Sequence, residues 1–144
     1  MTVRRWSMIA ACLSLAGGVA WLAKFAVIVA TDGRVATTGA AAWFMRLGLV
    51  CLFAGGTGVP LWLARRGRGL LRAAAVLLSP VLVAGSLVAV GTLATRAVGT
   101  RGPAYLHEEI GIAAAALVWL AIGAGLLARV RRAAARPFGA AGRA

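Results

Sequence analysis

Residues 73–95 read AAAVLLSPVLVAGSLVAVGTLAT, twenty-three consecutive positions without a charged side chain. About 20 helical residues, rising 1.5 Å each, cross a hydrocarbon core about 30 Å thick. This stretch is therefore long enough to span a bilayer. A membrane barrel strand would instead alternate apolar and polar residues over about ten positions. In lipid only helices and closed barrels satisfy every backbone polar group, so the unbroken run reads as a transmembrane helix.

Three more runs of the same kind flank it. The sequence predicts helices over 6–30, 39–64, 73–95 and 104–129, the last with a polar lead-in that begins at Pro103. The connectors are short, which forces consecutive helices to run antiparallel. Residues 31–38 hold Asp32 and Gly33, a turn composition. Residues 65–72 read RRGRGLLR, and residues 96–102 precede Pro103. The expected fold is an all-α membrane protein, one antiparallel bundle of four transmembrane helices over residues 1–144. Residues 130–144 are expected to form a basic, disordered cytoplasmic tail.

Composition agrees with lipid as the solvent. The 144 residues are 62% hydrophobic and 13% charged, with a mean hydropathy of +0.91. A soluble domain is about 45–50% apolar and about 25% charged. The net charge of +13 would suggest nucleic acid in a soluble protein. Here the arginines cluster beside the apolar runs, where they act as topology signals and headgroup contacts, and no nucleic-acid partner is expected.

The basic residues also give a direction. Eleven of the sixteen (Arg4, Arg5, Arg65, Arg66, Arg68, Arg72, Arg129, Arg131, Arg132, Arg136, Arg143) fall on one side. The other five are Lys24, Arg34, Arg46, Arg96 and Arg101. By the positive-inside rule the larger set is cytoplasmic, so both termini are expected there, as in a multi-pass protein of a bacterial plasma membrane. All three acids, Asp32, Glu108 and Glu109, then lie on the outer side. Trp6 and Trp62 are placed near the inner interface, and Trp43 and Tyr105 near the outer one. A cleaved signal peptide competes for the first run, but the apolar stretch continues to Ala30 and no small-residue pair precedes a plausible cleavage point.

The candidate intramembrane polar cluster is Lys24, His107, Glu108 and Glu109. Charges at membrane depth are functional hypotheses by default, because each costs about 2.5–3.5 kcal/mol at the bilayer centre on insertion scales. Helical side chains tilt toward the N-terminus. In the first helix that direction leads away from the outer surface, so Lys24 needs a partner, and Glu108 or Glu109 could supply it. Both acids also suit the first turns of a helix on dipole grounds alone. His107 tops a small-residue stripe (Gly111, Ala114, Val118, Ala121, Gly125) expected to face the bundle. Arg46, in a helix running inward, can reach the surface and reads as an interfacial anchor.

Small-residue faces, where membrane helices pack closely, also occur on the first helix (Ala10, Gly17, Ala20) and the second (Gly48, Cys51, Gly55, Gly58). Cys12 and Cys51 lie in separate runs and form no metal-ligand pattern with the single histidine, so no metal or cofactor is expected. Neither GxSxG, HExxH nor a phosphate-binding loop occurs, and the chain is read as not an enzyme. Ser79-Pro80 marks a possible kink in the third helix.

The stretch WLAKFAVIVATDG, with Trp21 and Lys24, and the later LHEEIGIAAAALVWLAIGAGLL resemble small uncharacterised four-helix integral membrane proteins of actinobacterial type. The resemblance covers the chain in layout and implies no activity. Length and helix count also resemble small multidrug transporters. Those carry an essential glutamate in the first helix, where this chain has no acid.

Two functions follow as expectations. The first is a non-enzymatic accessory or scaffold component, binding itself or another membrane protein through its small-residue faces, with anionic lipid headgroups along its inner rim. The alternative is a small oligomeric transporter or channel using Lys24, Glu108 and Glu109 near the outer face.

Overall fold

The computed structural model describes residues 3–35, 37–64, 67, 69–99 and 103–135, with the side chains of residues 3, 4, 108, 134 and 135 outside the description. Among the described residues the regular structure is entirely helical, with no strand. Its elements are α1 (Val3–Ala30), α2 (Gly39–Gly56), α3 (Gly58–Leu63), α4 (Gly69–Val98) and α5 (Ala104–Ala135). Four helices are long and apolar enough to cross a membrane, with α2 and α3 counted together as one span over Gly39–Leu63.

The break at Thr57 differs from the single helix expected over 39–64. Its cause is local. Pro60 has no N–H to give the carbonyl of Gly56, and three glycines surround Thr57. The Thr57 hydroxyl secures the junction: it donates to the Ala54 carbonyl at 2.8 Å and accepts the Trp6 indole N–H at 2.9 Å. The third span, α4, behaves differently. It runs unbroken through Pro80, which leaves the carbonyl of Val76 without its backbone donor. The Ser79 hydroxyl, fully buried, donates to that carbonyl at 2.7 Å. The proline is thus absorbed by its neighbour.

Helix ends extend past the apolar runs. α5 continues to Ala135, so residues 130–135 are helical where a disordered tail was expected. Arginine and alanine are strong helix formers, and Arg132 in the last turn suits the negative end of the dipole. Residues 136–144, with Arg136 and Arg143, lie outside the described residues, as do Arg65, Arg66, Arg68, Arg101 and the Arg4 side chain. α1 closes with Asp32 and Gly33 at φ of 49° and 78°, and the Gly33 N–H donates to the Ile28 carbonyl at 2.9 Å.

α1 is the central element. It packs extensively on the second span and on α5, and α4 packs mainly on α5. The partners run antiparallel: Gly17 and Trp21 of α1 meet Gly48 and Leu52 of α2, while Ala10 meets Gly58. On the other side Gly18 meets Ala116 and Leu120, and Ala11 meets Gly123. Glycine permits these approaches. A Cβ at Gly48 would lie 2.0 Å from Cδ1 of Trp21, whose indole N–H donates to the Met45 carbonyl at 3.2 Å. Where α4 crosses α5, a Cβ at Gly111 would lie 3.0 Å from the Cα of Gly91. The core is Trp21, Leu52, Val83, Ala115, Ala116 and Trp119.

Candidate functional site

Lys24 sits six residues before the end of α1, about 9 Å along the axis from Ala30. Glu109 sits five residues into α5, about 7.5 Å from Ala104. Antiparallel packing brings these depths level. The Lys24 ammonium donates to Oε1 of Glu109 at 2.5 Å and also to Oε2, forming a salt bridge. Both side chains are sequestered: Lys24 is 4% exposed and Glu109 6%. A charged pair in such a place holds only when its geometry is good, since separating the partners would strand a charge in an apolar interior.

The sequence leaves open which acid Lys24 meets, and the structure pairs it with Glu109. The side chain of Glu108 lies outside the described residues. The signal was present. Glu109 heads a stripe of buried residues on α5, with Ala113, Ala116, Gly123 and Val130 at helical spacing. The stripe expected to face the bundle, running down from His107, is buried only at Gly111. Lower down, Val118, Ala121 and Gly125 are exposed. Two adjacent stripes of small residues look alike in sequence, and only the fit against α1 distinguishes them. His107 is half-buried, and its Nε2 has no hydrogen-bond partner among the described residues. Arg46 is exposed, on the outward face with Val50.

Two tryptophans that the aromatic-belt pattern does not account for are core residues. Trp21 lies one turn from Lys24 and Trp119 faces Gly56 and Val83; both are buried. Ser14 Oγ and Trp119 Nε1 are buried without partners among the described residues. A cavity of about 320 Å³ opens between α4 and α5 beside Trp21, lined also by Thr92, Thr95 and Gly111. The Thr95 hydroxyl is engaged with the Gly91 and Thr92 carbonyls, each at 3.0 Å.

At the opposite end, Arg129 stacks over the ring of Trp62, 5.3 Å from its centroid. Cys12 is exposed, Cys51 is buried, and both are free thiols. Among the described residues no group of three or more His, Cys, Asp or Glu side chains could hold a metal ion. No protein-family model, curated protein or solved structure matches the chain.

Proposed function

We infer that this chain is a non-enzymatic multi-pass component of a bacterial plasma membrane, an accessory or scaffold subunit that binds a second copy or another membrane protein. It is of the small four-helix kind that its first and last helices resemble. The observation that carries this reading is the enclosure of the Lys24–Glu109 pair. One ammonium engages both carboxylate oxygens, and little of either side chain is exposed. Charges held this way tie α1 to α5 and are out of reach of a passing ion.

With α1 tied to α5, α4 is left as the surface for a partner. α4 is exposed along most of its length, with only Ser79 and Val83 buried, whereas each of the other long helices buries a full face. The exposed side of α4 carries Leu77, Val81 and Val88 around Gly85, where a side chain would meet nothing. Small residues let membrane helices approach closely. The test is the mass of the detergent-solubilised protein together with pull-down from native membranes, for the parent and for Gly85→Leu. Association that Gly85→Leu weakens supports the reading. A monomer with no co-purifying protein overturns it.

The charge asymmetry, eleven basic residues against five, supports cytoplasmic termini. Arg34→Cys should then react with a membrane-impermeant thiol reagent added outside intact cells, and Arg132→Cys only after permeabilisation.

One observation favours a small transporter instead. The cavity beside Trp21 lies within one helical turn of both Lys24 and Glu109. A relay through the pair requires proton flux into vesicles containing the protein, and its loss in Lys24→Met. Unchanged flux in that variant removes the relay.

A further inference from the structure

A groove of about 490 Å³ runs along the surface between α3 and α5, walled by Val59, Leu63, Val118, Ala121 and Gly125. Arg129 and Trp62 stand at its mouth. Its depth comes from missing side chains: Ala121 and Gly125 are exposed, and a Cβ at Gly125 would meet nothing within 4 Å.

Its length and the charge at one end point to the occupant. From Val118 to Arg129 the helix rises about 16 Å, close to half of a hydrocarbon core about 30 Å thick. The groove is therefore one leaflet deep. A single extended hydrocarbon chain can lie along a groove of this length, and the charge at one end suits the headgroup that such a chain carries.

The mouth adds a charge. The Trp62 ring holds the exposed Arg129 guanidinium in place by a cation–π contact, so little side-chain freedom remains to be lost when an anion binds. The guanidinium fork matches phosphate oxygens in pairs. We propose that this groove is a binding site for one anionic phospholipid, with an acyl chain along Val118, Ala121 and Gly125 and the phosphate on Arg129. The proposal rests on the membrane-spanning reading of the four helices and is independent of any partner on α4.

Native mass spectrometry of the full chain, released from micelles containing equal amounts of phosphatidylglycerol and phosphatidylcholine, tests it. The parent should retain one lipid, with phosphatidylglycerol preferred about fivefold, the value of one basic residue at a lipid surface. Arg129→Gln should reduce that ratio to near unity. Arg131→Gln, on the opposite side of the helix, should leave it unchanged. Gly125→Leu fills the groove without disturbing the fold and should abolish retention of either lipid. Equal losses from Arg129→Gln and Arg131→Gln would mean a diffuse surface charge and overturn the site. So would lipid retention that survives Gly125→Leu, or a second copy of the chain lost in that variant in place of lipid.

Discussion

Replacing Lys24 by Met leaves the Glu109 carboxylate in an apolar interior with no cation, and replacing Glu109 by Leu strands the ammonium. Breaking a buried pair from one side costs about 3–5 kcal/mol. Lys24 lies about 9 Å from the end of its helix rather than at the bilayer centre, so the lower end, ~3 kcal/mol, is expected. Removing both charges strands neither, and apolar replacements of buried pairs are often neutral or stabilising. The double variant should therefore fall within ~1 kcal/mol of the parent. The cycle then yields a coupling of at least ~5 kcal/mol, roughly a thousandfold or more in the unfolding equilibrium. Ordinary hydrogen bonds between membrane helices average about 0.6 kcal/mol in such cycles, so size alone separates an enclosed ion pair from a surface contact. The assay is reversible unfolding in mixed micelles with a denaturing detergent, followed by tryptophan fluorescence; Trp21 reports from one turn away and is buried. Additive single effects, or a coupling near 0.6 kcal/mol, would refute the tie between α1 and α5.

Other expectations use the same assay. Gly48→Ala places a methyl group 2.0 Å from Cδ1 of Trp21 and should cost about 1–3 kcal/mol, with a red-shifted emission as the ring is displaced. Ser79→Ala removes the donor that serves the Val76 carbonyl and should cost about 1 kcal/mol. That cost should vanish in a Pro80→Ala background, where the backbone N–H returns; equal costs in both backgrounds would refute the compensation. Thr57→Val removes the acceptor of the Trp6 indole and the donor to Ala54, and should cost about 1–2 kcal/mol. Hydrogen exchange at residues 54–61 should rise in that variant, and an unchanged profile would show that the α2–α3 junction does not depend on the hydroxyl.

Four long apolar helices were legible because hydropathy and length are local properties. The need of Lys24 for a partner was legible too, from its depth and the tilt of its side chain. The buried faces of α1 and α2 follow their small residues, Gly17 and Gly48 among them. On α5 the same reasoning selected the wrong stripe, because Gly111, Ala114, Ala121 and Gly125 look as suited to packing as Ala113, Ala116 and Gly123. In a soluble helix polar residues would mark the outward side. Here every face is apolar, and that contrast is lost.

The sequence alone therefore determines that the chain forms helices long and apolar enough to cross a membrane, roughly where each lies, and that a lysine within one of these apolar runs needs a counter-charge. The rotation of each helix about its own axis, and with it the choice of Glu109 for Lys24, belongs to the tertiary structure. So do the enclosure of that pair and the groove beneath Arg129. These depend on how the surfaces of neighbouring helices interlock, through a glycine opposite an indole or one backbone against another. No periodicity along a single uniformly apolar helix carries that information.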